Sequence, residues 1–161
     1  MVNNIYSKKV MQHFQKPHNY GRMKNPDGIG KVGNPVCGDV MWLYIKVVQN
    51  KKKEDFIKDI KFETFGCVAA ISTSSIITDL VKGKTIKEAL KITKDNVIES
   101  LGGLPKIKYH CSVLAVDALV EAVYDYFLKS KKEIPAGLEK KHEIIKKSKD
   151  IIEKRYEKWE K

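Results

Sequence analysis

The sequence predicts an α+β fold: a small antiparallel three-stranded sheet with helices packed against it, an N-terminal helix before it and a long C-terminal helical extension after it. Three observations predict it. Strand-like segments, rich in β-branched and aromatic residues, are confined to the part of the chain before Gly66. Every segment after Phe65 carries apolar residues at helical spacing. No repeat or low-complexity linker divides the 161 residues, and a chain of that size buries about two-thirds of its extended-chain surface, enough for one core without a metal or disulfide.

The elements follow in order. Tyr6, Val10, Met11 and Phe14 recur at helical spacing, and Pro17 stops the helix they form. Residues 25–38 hold four glycines and two prolines, a loop with room for one short strand near residues 29–32. DVMWLYIKVV reads as a strand and NKKKED as a polar turn; in FIKDIKFETF, Ile60, Phe62 and Thr64 alternate with charged residues. A helix over residues 68–82 carries Ile76, Ile77 and Leu80 on one face and ends at Gly83. Thr85, with Glu88 three residues on, is a capping box that opens IKEALKI. Another short helix over residues 95–101 closes at Gly102 and Gly103. In HCSVLAVDALVEAVYDYFLKSK, the residues Cys111, Leu114, Ala115, Ala118, Leu119, Ala122 and Tyr126 line one stripe of a long helix. Pro135 and Gly137 mark a joint before a charged last helix, in which Leu138, Ile145, Ile152 and Trp159 repeat every seven residues. The expected organisation is one domain over residues 1–134 with residues 135–161 as its charged helical extension, packed on the same core.

The net charge of +11 is unevenly spread: residues 129–161 hold 12 Lys/Arg against 7 Asp/Glu. Acidic residues are interspersed with the basic ones and no nucleic-acid-binding motif is present, so neither nucleic acid nor a membrane is an expected partner. The N-terminus lacks the apolar run of a signal peptide, and no stretch approaches the roughly 18 apolar residues of a membrane span. A cytoplasmic protein is expected. Three cysteines in a chain without an export signal argue for reduced thiols that bind metal or react, rather than for disulfides.

Each cysteine falls at the edge of an element. Cys37 lies in GNPVCGDVM before a strand, Cys67 at the strand-to-helix junction FGCVAA, and Cys111 at the start of the long helix. Helix N-termini favour a thiolate, so Cys67 and Cys111 are expected to ionise easily. A lone cysteine is commonly a small buried apolar residue. Three together, with Asp39 two residues after Cys37 and His110 directly before Cys111, form instead a metal-ligating set with one donor more than a tetrahedral ion needs. Separations of 30 and 44 residues match no zinc finger, and by spacing alone zinc and an iron-sulfur cluster both remain open.

GNPVCGDVM, FGCVAAISTSS and LPKIKYHCSVLAVDAL resemble the three signature segments of the iron-sulfur cluster scaffold family, the IscU proteins and the N-terminal domain of NifU, and YSKKVMQHFQKPHNYG is similar to that family's opening helix. The resemblance runs from Tyr6 to Leu128. It implies a scaffold without enzymatic turnover of its own. A pyridoxal-phosphate cysteine desulfurase of the IscS or NifS type would pass sulfur as a persulfide to Cys111. Cys37, Cys67 and Cys111, with Asp39 or His110 as fourth contact, would then hold a 2Fe-2S cluster destined for apo iron-sulfur proteins, with 4Fe-4S as a further product and zinc on the same residues in cluster-free protein. A monomer, or a homo-oligomer around a cluster, fits this picture. Residues 104–108 correspond to the site of a DnaK-type chaperone, commonly Leu-Pro-Pro-Val-Lys. Here Lys106 stands for a proline and Ile107 for a valine, which weakens that expectation, while Leu104, Pro105 and Lys108 remain. The alternative is a zinc-bound sulfur acceptor of the SufU type, which relays sulfur without assembling a cluster. SufU proteins carry an insertion between the second and third cysteines and lack the adjacent histidine, so His110 and the short gap favour the scaffold. Because no cysteine follows Cys111, a stand-alone scaffold is expected rather than a multidomain NifU.

Overall fold

The computed structural model describes residues 5–34 and 37–157. Helix α1 spans Lys8–Gln15, strands β1, β2 and β3 span Gly28–Gly33, Val40–Gln49 and Asp55–Phe65, and helix α2 spans Val68–Val81. Two short helices follow, α3 over Ile86–Ala89 and α4 over Lys94–Ser100. A 3-10 turn over Lys106–Lys108 leads into the long α5, Tyr109–Lys129, and α6 covers Ala136–Glu157. The α+β expectation holds, with a single antiparallel sheet in the order β1-β2-β3. Among the described residues no helix is long and apolar enough to cross a membrane.

Alternation along β2 buries Met41, Leu43 and Ile45. On β3 the alternation is interrupted, because the register steps from Lys46↔Asp59 to Val47↔Ile57 and leaves Lys58 unpaired. That bulge lets Ile57 and Ile60, an odd number of residues apart, both face the core. Helix α5 lies across β1 and β2, closest over β1. A Cβ on Gly30 would stand 2.0 Å from the Ala118 carbonyl oxygen, and one on Gly28 would stand 2.2 Å from that of Ala122. Backbone therefore meets backbone at this contact, and only glycine fits. Asp125 Oδ2 accepts the Ile29 N–H at 2.8 Å and fixes the register of helix on strand.

Helix α2 is enclosed by α1, α4, α5 and β3. The sequence pattern anticipated a single apolar face, whereas Ala69, Ala70, Ser72, Thr73, Ser74, Ser75, Ile76, Ile77, Thr78 and Val81 are all buried. Small hydroxyl residues make this tolerable because they bond to nearby carbonyls: Ser72 to Val10, Thr73 to Ala69, Ser74 to Ala70. The predicted capping box at Thr85 and Glu88 is formed, and Thr93 with Asn96 makes a second one. Ser7 caps α1 and donates to the Leu101 carbonyl at 2.5 Å, tying the N-terminal helix to the end of α4.

Helix α6 packs on α5 and β1. Leu138 and Ile145 join the core; of the same seven-residue repeat, the Ile152 side chain and Trp159 lie outside the described residues. His142 stacks on Tyr124 with ring centroids 3.7 Å apart, and its Nδ1 is 2.7 Å from Glu121 Oε1.

On α5, burial first and Glu121 second push the Asp117 carboxyl up to about 6, from 3.8. The folded protein thus prefers this group protonated. Its penalty is absent below pH 3.8, grows as pH rises from there and is complete above about 6. Two units correspond to about 3 kcal/mol at most, which partial exposure reduces to about 1 kcal/mol. Asp117→Asn is expected to raise the melting temperature at pH 7 by about 2–4 °C and to change it little at pH 4, as thermal melts at the two pH values would show.

Candidate metal centre

The antiparallel register gathers the cysteine motifs at one end of the sheet. Gly33 pairs with Val40, and Val40 with Phe65. The β1–β2 connection, which carries Cys37 and Asp39, therefore lies beside the β3–α2 junction, which carries Gly66 and Cys67. The two ends of the connection are tied together. Asn34 N–H donates to the Asp39 carbonyl at 2.8 Å, Gly38 N–H donates to the Asn34 carbonyl at 2.9 Å, and Gly38 has a φ of 74°. Pro35 and Val36 of the motif lie outside the described residues. Cys67 is the N-cap of α2, and α5, packed on α2, delivers His110 and Cys111 from its first turn.

Five donors meet here. Cys67 Sγ lies 3.7 Å from Asp39 Oδ2 and 3.9 Å from Cys111 Sγ. Ligand atoms of Cys37, Asp39 and His110 lie within 4.8 Å of one another, as do those of Asp39, Cys67 and Cys111. Asp39 belongs to both groups and joins them. The structure thus brings together all five residues singled out in the sequence. Gly66 makes room for the shared carboxylate, since a Cβ there would stand 3.0 Å from Asp39 Cγ and 2.7 Å from the Ala70 Cβ.

His110 Nε2 is buried and has no hydrogen-bond partner among the described residues. Such an orphan costs about 1–3 kcal/mol. Beside thiols and a carboxylate, a metal ion is the partner that would satisfy it.

Exposure is graded across the site: Cys37 is exposed, Cys67 half-buried and Cys111 buried. Burial pushes the Cys111 thiol far above its ordinary value, and the neighbouring Cys67 and Asp39 push it further. Cys37, though exposed, is raised as well, chiefly by partial desolvation of its sulfur. The expectation that Cys111 ionises easily is therefore overturned. A helix N-terminus contributes about 0.3–1 kcal/mol, less than one pKa unit, whereas burial can shift a group by up to about 3–5 units. In cation-free protein this thiol stays protonated. A bound cation reverses the balance, because it offsets the mutual repulsion of thiolates and carboxylate.

Tyr6 and Lys108 complete the surroundings, and sequence reasoning gave neither a place there. Tyr6 packs with Leu104 over the Ala69, Ala70 and Cys111 cluster; burial raises its hydroxyl, with Cys67 and Cys111 adding to the rise. Lys108 feels Cys67 first, which raises its ammonium. In the sequence, Lys108 figures only as part of the 104–108 motif and Tyr6 only as part of the opening helix.

A family model described as the NifU-like N terminal domain matches residues 5–133. The iron-sulfur cluster assembly scaffold protein IscU 1 of Archaeoglobus fulgidus is 58% identical over 146 residues, which cover 89% of this chain and 92% of that protein. The scaffold protein IscU of Escherichia coli K12 is 47% identical over 131 residues, covering 80% and 97%. Among solved structures, the N-terminal part of a nitrogen-fixing NifU-like protein from Brucella abortus matches with a TM-score of 0.59 at 20% identity, covering 80% of this chain and 98% of that one. A structure described as an iron-sulfur cluster assembly scaffold protein for the SUF system, FiSufU, from Fervidobacterium islandicum AW-1 matches with a TM-score of 0.57 at 24% identity, covering 76% and 99%. At such identities these two structures speak for a shared fold alone.

Proposed function

The chain belongs to the NifU-like N-terminal family, and from that premise we propose that it is a scaffold on which an iron-sulfur cluster is built and then handed on. The observation that supports this most is the meeting, at one end of the sheet, of three thiols, one shared carboxylate and a buried imidazole nitrogen that has no partner among the described residues. Iron and sulfide are cargo in this account, and the protein's own thiols are reactants and ligands in turn.

Sulfur arrives as a persulfide on a cysteine desulfurase. With a cation in the site to displace its proton, Cys111 attacks the outer sulfur as a thiolate, the donor's S–S bond breaks, the donor departs as a thiolate, and Cys111 carries the persulfide. Reduction of that sulfur to sulfide takes two electrons from an external reductant. Cys37, Cys67 and Cys111, with Asp39 or His110, then hold a 2Fe-2S cluster. A non-thiolate fourth contact weakens the hold and suits delivery to apo-proteins. In cluster-free protein the same donors suit zinc, which takes three thiolates plus an imidazole or carboxylate. Loading requires Tyr6 and Leu104, which cover Cys111, to move aside. Phe65 and Ile107, 83% and 78% exposed, flank the cysteine motifs and offer partners apolar contacts.

Persulfide capture from a desulfurase, read by mass spectrometry of the intact chain, tests the sulfur step. Cys111→Ala is expected to abolish capture while Cys37→Ala retains most of it. The reverse pattern would move the acceptor to the exposed Cys37.

A further inference from the structure

A second set of metal-type donors meets at the far end of α2. His13 lies in the last turn of α1, His18 in the loop after it, and Asp79 near the C-terminal end of α2. One nitrogen of each imidazole and one carboxylate oxygen lie within 4.8 Å of one another. The two rings have centroids 4.7 Å apart, and His18 Nδ1 stands 2.6 Å from Asp79 Oδ2. Cys67 caps the opposite end of the same helix, so twelve residues at a 1.5 Å rise separate the two places by about 18 Å. We propose that His13, His18 and Asp79 form a second metal site that takes a divalent first-row transition ion of the zinc or ferrous type, with water completing its coordination.

The surroundings hold each donor in place, as outer partners do around established metal sites. Ser75 Oγ accepts the His18 backbone N–H at 2.8 Å and lies 2.8 Å from His13 Nδ1, which leaves His13 Nε2 for an ion. Asn19 Nδ2 donates to Thr78 Oγ1 at 2.9 Å and to Asp79 Oδ1 at 3.5 Å, which leaves Oδ2 for an ion. In metal-free protein a proton between His18 and Asp79 occupies the place. A cation displaces it, with the carboxylate and imidazole separating to about 3 Å around bonds of about 2 Å. Two imidazoles and a single carboxylate select a borderline transition ion over calcium or magnesium, which prefer all-oxygen sites. A cavity of about 450 Å³, lined by Lys9, Gln12, His13, Gln15, Lys16 and His18, opens beside the two imidazoles.

This site does not depend on the cluster reading, and cobalt(II) titration of the metal-stripped full chain under anaerobic conditions tests it separately. Two equivalents are expected to bind. One gives intense thiolate-to-cobalt absorption from the cysteines, and the other gives weak ligand-field bands only. His18→Ala and Asp79→Asn, both at exposed positions, should each remove the second equivalent and leave the thiolate absorption unchanged. Cys67→Ala should do the opposite. Ser75→Ala should weaken the second site about 10–100-fold by releasing the His13 ring. A single equivalent in the unaltered protein overturns the proposal, and so do two equivalents retained in both His18→Ala and Asp79→Asn.

Discussion

Gly30→Ala is expected to lower stability by more than about 3 kcal/mol. Overpacking a core usually costs about 1–3 kcal/mol, because side chains give way. Here the new methyl would stand 2.0 Å from the Ala118 carbonyl oxygen and 2.6 Å from the Ala122 nitrogen, so helix backbone has to retreat from strand backbone. For a chain of this size, that corresponds to a fall of about 6–12 °C in melting temperature. Gly137→Ala serves as the control. A Cβ there meets nothing within 4 Å, and the residue lies in α6, so the change should be neutral or stabilising by up to about 1 kcal/mol. A Gly30→Ala protein melting within 2 °C or so of the unaltered one would contradict the β1–α5 packing described here. Because α5 also carries His110 and Cys111, its displacement should weaken metal retention in the same variant.

Cys67→Ala is expected to weaken metal binding at the cysteine site by more than about 100-fold, while leaving the fold nearly intact. Loss of an outer partner alone costs about 10–100-fold, and a direct ligand should exceed that. Cys67 also touches two other donors, with its sulfur 3.7 Å from Asp39 and 3.9 Å from Cys111. Its structural role is slight, since it is half-buried and makes no side-chain bond to the start of α2. Cobalt(II) titration followed at the thiolate-to-cobalt absorption, with circular dichroism to confirm the fold, separates the two effects. Affinity within tenfold of the unaltered protein would remove Cys67 from the site.

Much of this molecule was legible in its residues, and the exceptions have physical causes. Strands β2 and β3 and the helices announced themselves through strand-like composition, period-2 and helical spacing, through Thr85 with Glu88, and through Gly83 as a stop. The five donors of the metal centre were legible because each sits at the edge of an element, where a chain reversal brings distant motifs together. Three things were hidden. Helix α2 is buried on nearly every side because its serines and threonines bond to nearby carbonyls, and such residues look like surface residues in a linear reading. The state of Cys111 depends on burial beneath Tyr6 and Leu104, contacts that no local motif records. The glycines of β1 read as loop material, when in fact the close approach of α5 requires them.

The most direct test is anaerobic reconstitution with ferrous iron, cysteine, a reductant and a cysteine desulfurase, following visible absorption and then its transfer to an apo-ferredoxin. The scaffold account predicts that a cluster forms on this chain and moves to the acceptor within minutes. Sulfur loading as persulfide with no cluster at any iron supply would contradict it, and would leave the cysteine site to a zinc-bound sulfur carrier.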